Sequence, residues 1–221
     1  TCSMLGVHDA HDAKRWQAVT DATADSPADL KAWRKAERAR LIDAREALAA
    51  QQRAADTAAI ARELDTLIAA DADTLISVYW PIRAEPDLRA WMRSRCEAGG
   101  RIALPVAVAL RQPMQFREWR PGAAMTRGLW EIPIPATGPE VEPGVVIAPL
   151  VGYDPQCYRL GYGGGFFDRT LAGLIARGAR PRVIGVGFTS QALASIHPQP
   201  HDIPMDWILT GSRPPLRRPA G

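Results

Sequence analysis

One run near the middle of this 221-residue sequence constrains its fold more than any other stretch. Val145-Val146-Ile147-Ala148-Pro149-Leu150-Val151 reads as a buried strand. The run Arg159-Leu160-Gly161-Tyr162-Gly163-Gly164-Gly165-Phe166-Phe167-Asp168-Arg169 follows, and residues 170–177 then carry apolar side chains at helical spacing. A strand, a glycine-rich turn and a helix make a phosphate cradle. Glycines let an anion approach the backbone, and a helix start offers unpaired N–H groups with a favourable dipole. Arg159 adds a planar cation suited to phosphate, and Asp168 is an anion within reach of Mg²⁺ carried on phosphates. The pattern is neither a Walker loop nor Gly-x-Gly-x-x-Gly opening a first βαβ unit. It therefore points to a nucleotide-using enzyme, with a structural turn capped by Asp168 as the alternative.

Upstream, the apolar pattern alternates between strand and helix. Residues 73–80 read as a strand ending at Pro81 and residues 82–85 as a loop. Residues 86–98 read as a helix opened by Pro86 and stopped by Gly99-Gly100. Residues 101–105, 113–119 and 182–188 supply further strands, and residues 136–144 form a Pro- and Gly-rich connection. This βαβ rhythm predicts an α/β fold, a three-layer, doubly wound, mostly parallel sheet. Ligands in such sheets gather beyond the carboxyl ends of the strands, where Trp80 and Glu85 fall. At this level, ordinary packing of Trp80 and solvation of Glu85 as a loop carboxylate are the favoured readings.

The domain is expected to span residues 28–212, beginning with an N-terminal helical segment. Ser26 is a cap and Pro27 a first-turn residue. Residues 29–53 are rich in good helix formers, with Leu30, Trp33, Leu41, Ala44 and Leu48 near one face. Lys31, Arg34, Lys35, Arg38 and Arg45 run beside that face, either as a solvated stripe or as a surface that meets phosphates. A second helix covers residues 54–70, with Ile60, Leu64, Leu67 and Ile68 inward.

A net charge of +3 with pI near 9.0 suits an anionic ligand and equally suits weak attraction to nucleic acid, so it selects neither. No apolar run approaches the roughly 20 residues of a membrane span, and the first residues lack a signal-peptide pattern. Cys2, Cys96 and Cys157 are widely spaced and odd in number, which fits reduced thiols in the cytoplasm. Residues 1–27 read as a disordered extension, in which His8 and His11 are solvated rather than metal ligands, and residues 213–221 as a loose tail.

The central run resembles the signature of the 5-formyltetrahydrofolate cyclo-ligase family. The matching residues are Pro149, Tyr153-Asp154, Arg159-Leu160-Gly161, Gly163, Gly165 and Asp168. Phe166 and Phe167 stand where the family has two tyrosines, and Ile134 stands where it has Glu or Gln. The resemblance covers residues 29–210 and implies ATP- and Mg²⁺-dependent cyclisation of 5-formyltetrahydrofolate to 5,10-methenyltetrahydrofolate, releasing ADP and phosphate. It implies that Lys31 and Lys35, with Arg34 as a neighbouring alternative, and Arg159 contact the ATP phosphates. The loop Leu160, Gly161, Tyr162, Gly163, Gly164, Gly165, Phe166 and Phe167 would cradle them. Asp168 and Asp202, the latter from an Asp-x-x-x-Asp pattern completed by Asp206, would hold Mg²⁺. Trp80, Glu85, Trp130, Tyr162 and Phe166 would hold the folate, with or without a polyglutamate chain. The expected partners are folate and ATP, with no membrane or nucleic acid, and the expected state is a monomer or weak dimer. Two rivals are a catalytically silent relative that binds RNA or another polyanion, and a different ATP-dependent ligase or kinase sharing the loop.

Overall fold

A computed structural model describes residues 26–68 and 74–220; Cys2, His8, His11 and most of the expected N-terminal extension lie outside them. The first helix, α1 (Pro27–Glu46), starts where the sequence indicates: the Ser26 hydroxyl accepts the Asp29 N–H, and Pro27 occupies the first turn. The helix break falls at residues 47–49, earlier than expected, where the Arg53 side chain takes the Leu48 carbonyl. Helix α2 (Ala50–Leu67) follows.

Strand β1 (Leu75–Ser77) is shorter than the apolar run predicts. Val78 still donates to the Ala103 carbonyl, and the chain then leaves the sheet. Helix α3 (Arg89–Glu97) starts after Leu88, because the Tyr79 hydroxyl holds the Pro86 carbonyl at 2.6 Å and Asp87 accepts the Arg89 N–H. Next come β2 (Arg101–Val106) and β3 (Gln115–Trp119). A small hairpin of β4 (Met125–Arg127) and β5 (Pro133–Pro135) follows. Between these two strands lies a tight turn in which Trp130 and Glu131 both adopt positive φ.

Strand β6 (Val145–Pro149), the short pair β7 (Gly152–Tyr153) and β8 (Arg159–Leu160), α4 (Phe166–Ala176), β9 (Arg182–Val186) and β10 (Trp207–Leu209) complete the central unit. The tail expected to be loose instead supplies β11 (Leu216–Arg217), antiparallel to β10. Arg218 N–H donates to Asp206 O, and the Arg217 guanidinium lies over the Trp207 ring.

The main sheet runs β11-β10-β9-β6-β1-β2-β3. Its β10-β9-β6-β1-β2 core is parallel, and the two edge strands are antiparallel. Ile60 and Leu64 of α2 and Trp91 and Met92 of α3 pack with Ile76, Ile102 and Ile147 on one face. Leu171 and Leu174 of α4 pack with Ala103, Val146 and Val183 on the other, giving the predicted three layers. Strand order reverses between β1 and β6, so the crevice beyond their carboxyl ends is where this topology places a ligand.

Candidate active site

Strand β8 delivers Arg159 to that crevice. Its side chain is only 3% exposed, with the guanidinium over the Phe167 ring at 5.3 Å and Nη2 3.0 Å from Asp168 Oδ1. That contact is an ion pair, and neither Nη1 nor Nη2 has a hydrogen-bond partner among the described residues. Burial pulls the Arg159 pKa below its usual value, opposed by the charges of Asp168 and Asp202. A desolvated cation with unused donors is costly unless an anion completes it.

The neighbouring backbone offers the same anion more donors. Gly165 adopts φ +63 and precedes α4 without any side-chain cap, so the first amides of the helix keep their anion-binding capacity. The helix therefore begins at Phe166 rather than at Thr170, which places Asp168 in its first turn. Gly163, at φ +96, leaves room for the Arg38 guanidinium, whose Cζ lies 3.3 Å from where a Cβ would sit. Arg38 donates to Gly161 O at 2.7 Å, and Arg169 donates to the carbonyls of Gly164 and Gly165. Two arginines thus fix the loop through its carbonyls. Leu160 does not face the cavity; it is buried against Leu41 and Ile42 of α1.

Helix α1 turns a different basic pair inward from the one the resemblance implies. Arg38 turns toward the glycine loop and Arg34 toward residues 196–202, whereas Lys31 and Lys35 are exposed and make no hydrogen bond or ion pair among the described residues. The buried stripe passes through Arg34, Arg38, Leu41, Ile42 and Arg45, leaving Lys35 at its margin. Lys31 sits one heptad before Arg38, about 10 Å back along the axis. Arg34 Nη2 donates to Asp202 Oδ2 at 2.6 Å and to His197 O at 2.8 Å.

A cavity of about 380 Å³ opens beside Arg159, lined mainly by apolar side chains and by the charged residues Glu85, Arg159 and Asp168. This size suits a drug-sized ligand with few polar anchors. Glu85 is 6% exposed; Ile82 N–H donates to Oε2 at 2.9 Å and the Tyr162 hydroxyl to Oε1 at 2.7 Å. Burial pushes the Glu85 carboxyl up, while those two donors and the Arg45 charge pull it back. Trp80 lines the same cavity with its ring edge-on to Trp119. Trp130 lines the cavity at 61% exposure, edge-on to Phe166 at 5.3 Å. Ile134 presents only hydrocarbon there.

Residues 199–203 hold both Asp168 and Asp202. Ile203 N–H donates to Asp168 Oδ1 at 3.1 Å, and Gln199 N–H donates to Asp202 Oδ2 at 2.7 Å. Each carboxylate therefore keeps its second oxygen clear of short contacts, the nearest partner of Asp202 Oδ1 being His201 Nε2 at 3.8 Å. Among the described residues no three His, Cys, Asp or Glu side chains form a metal cage. An Mg²⁺ ion held chiefly by phosphates and water needs no such cage, so this pair fits that mode. Asp206 instead accepts the Val183 N–H and fixes the entry to β10. Burial raises the thiol of Cys96 and pushes that of Cys157 up to about 12, which leaves neither poised as a nucleophile.

Residues 30–211 match the model of the 5-formyltetrahydrofolate cyclo-ligase family. The chain belongs to that family. The 5-formyltetrahydrofolate cyclo-ligase of Mycolicibacterium smegmatis is 34% identical over 146 residues, covering 62% of this chain and 74% of that protein. The Escherichia coli K12 cyclo-ligase is 27% identical over 144 residues, covering 62% of this chain and 78% of its own. The NMR structure of Aquifex aeolicus 5,10-methenyltetrahydrofolate synthetase superposes with a TM-score of 0.71 at 22% identity, over 85% of this chain and 94% of that one. That likeness speaks for the fold.

Within this cyclo-ligase fold, the structure brings together Glu85, Trp80, Trp130, Tyr162, Phe166, Arg159 and Asp168 around one cavity, with Asp202 adjoining. Two arginines of the basic stripe, Arg38 and Arg45, were not singled out from the sequence. Arg38 carries the same basic-x-x-x-basic spacing with Arg34 that Lys31 shares with Lys35, so spacing could not choose. Arg45 could have been singled out as a cation one turn beyond Leu41, on a face otherwise apolar.

Proposed function

We propose that this chain converts 5-formyltetrahydrofolate and ATP to 5,10-methenyltetrahydrofolate, ADP and phosphate. The observation that carries the reading is Arg159, buried with Nη1 unpartnered and Nη2 held only by its ion pair to Asp168, where an uncapped helix start and the Glu85 cavity meet. Phosphates would lie on the glycine loop and the first amides of α4, with Arg159 and Arg38 neutralising them. Asp168 and Asp202 would hold Mg²⁺, which when bound offsets phosphate charge. The pterin would lie among Trp80, Trp130 and Phe166, its N–H and amino donors turned to the acceptor oxygens of Glu85.

The formyl oxygen is a poor leaving group. It attacks the γ-phosphorus, the bond to the β-bridging oxygen breaks, and ADP leaves. N10 then bonds to the activated formyl carbon, its proton is lost, and phosphate departs as the ring closes. The protein supplies little covalent chemistry. Its work is to hold the formyl oxygen and N10 at attack distance and to neutralise charge in a site shielded from water. The two thiols, raised by burial, take no part.

Purified protein given 5-formyltetrahydrofolate and MgATP should develop the near-ultraviolet absorbance of the methenyl product, with one phosphate released per product. Phosphate release without that absorbance would assign the loop to a different ATP-dependent ligase, and absence of both in folded protein would overturn the reading. The register of α1 makes a second expectation. Arg38→Met should weaken ATP binding by about 10-fold, the worth of one charge-assisted contact. Lys31→Ala and Lys35→Ala should each stay within about twofold, because exposed charges near a ligand contribute little. Calorimetric titration with a non-hydrolysable ATP analogue compares them.

A further inference from the structure

Arg45 is completely buried in the last turn of α1, yet it forms no direct ion pair among the described residues. Its Nε donates to Arg83 O at 2.8 Å, Nη1 to Leu150 O at 3.2 Å, and Nη2 to the Tyr162 hydroxyl at 2.6 Å. One side chain therefore ties together the loop after β1, the end of β6 and the glycine loop. Burying a guanidinium without a carboxylate against it is expensive, and an apolar residue of similar volume would serve packing better. The nearest use for the charge lies one hydroxyl away. Arginine has only donors, so the Tyr162 oxygen accepts from Arg45 and its single proton is left for Glu85 Oε1, at 2.7 Å. Ile82 N–H occupies the other carboxylate oxygen.

We propose that Arg45 is a positioning residue of the ligand cavity: acting through the Tyr162 hydroxyl, it directs a proton donor onto Glu85 and keeps that carboxylate an acceptor turned toward the bound ligand. Calling the ligand a folate rests on the cyclo-ligase reading; the relay itself does not. With Glu85 charged and both its oxygens already holding one donor each, its remaining lone pairs accept from a ligand bearing paired N–H groups. Protonated, Glu85 would present a donor instead and repel the same ligand.

The other ionisable groups around Glu85 are accounted for. Tyr79 is buried with its hydroxyl on Pro86 O, and its pKa is driven far up by burial and by the Glu85 charge. Arg83 pairs outward with Glu46, and Asp87 with Arg89. Arg45 and Tyr162 are thus the groups from other elements that oppose the upward push of burial on Glu85. Losing either raises the Glu85 pKa further, so the acceptor form disappears at a higher pH.

The test is a pH titration of the Glu85 carboxyl in the full chain, followed by NMR with glutamate labelled with carbon-13 at the carboxyl and assigned by the signal missing in E85Q. Tyr162→Phe should move the midpoint upward by about one pH unit or more, the size expected for loss of a hydrogen bond to a charged group, and Arg45→Met should move it in the same direction by removing the opposing charge. The acid limb of folate kcat/KM should move with it, through KM for folate while KM for ATP holds. An unchanged Glu85 midpoint in Tyr162→Phe would overturn the proposal, as would a change confined to thermal stability. Arg45→Met removes three hydrogen bonds; if it does not fold, Tyr162→Phe decides alone. Failure of the cyclisation assay in the unaltered protein would remove the folate reading and leave the Glu85 titration standing as a separate result.

Discussion

Arg159→Met lowers kcat/KM for cyclisation by about 10³-fold, the range seen when a preorganised charge-stabilising donor is removed, and leaves the thermal unfolding midpoint level or higher. The two halves of that result have one origin. Arg159 is desolvated, and its Nη1 and Nη2 have no hydrogen-bond partner among the described residues, so the folded protein carries a cost that methionine would relieve. Its ion-pair partner Asp168 retains the Ile203 N–H and an 18% exposed side chain, which spares it the isolation that makes broken buried pairs so damaging. An arginine kept for folding would give the opposite pattern, with stability lost first and activity lost only as a consequence. Steady-state kinetics alongside a thermal melt separates the two.

Glu85→Gln raises KM for the folate and lowers kcat/KM by about 100-fold, the scale of a charged hydrogen bond exchanged for a mismatched one, while ATP binding changes by less than about twofold. The amide is nearly isosteric, but it cannot accept from both Ile82 N–H and the Tyr162 hydroxyl at 2.9 and 2.7 Å. Whichever way it turns, one donor meets an NH₂ group. The Tyr162 proton cannot retreat toward Arg45, which has no lone pair to receive it. ATP binding escapes because the phosphate donors proposed above belong to the glycine loop, α1 and the start of α4 rather than to Glu85. Folate titrations at saturating ATP, and ATP-analogue titrations without folate, read the two effects apart.

Much of the architecture could be read in advance because burial leaves a periodic trace. Val145 to Pro149 lies at the middle of a parallel sheet covered on both faces, so it is apolar at every position. The glycine run could be read because Gly163 and Gly165 occupy positive φ, which few other residues tolerate. What escaped was set by tertiary contacts. Spacing alone cannot distinguish Lys31 and Lys35 from Arg34 and Arg38; packing of Leu41 and Ile42 against Val151 and Leu193 turns the helix and chooses the second pair. Arg45 merged into the basic stripe because its carbonyl and hydroxyl partners lie as far away in sequence as Tyr162. The Arg- and Pro-rich end looked loose, yet the Asp206 carbonyl receives Arg218 N–H and Trp207 receives the Arg217 cation, enough to seat one more edge strand. The Trp130 turn depends on two consecutive positive-φ residues that are not glycine, a conformation that sequence does not announce.

The most direct measurement is a crystal structure of the chain with MgADP and 5-formyltetrahydrofolate bound together. Phosphate oxygens are expected on the Arg159 guanidinium and the first amides of α4, and the pterin donors on Glu85 in the adjoining cavity. Phosphates bound along the exposed Lys31 and Lys35 surface, with no anion on the Arg159 guanidinium other than Asp168, would contradict this placement.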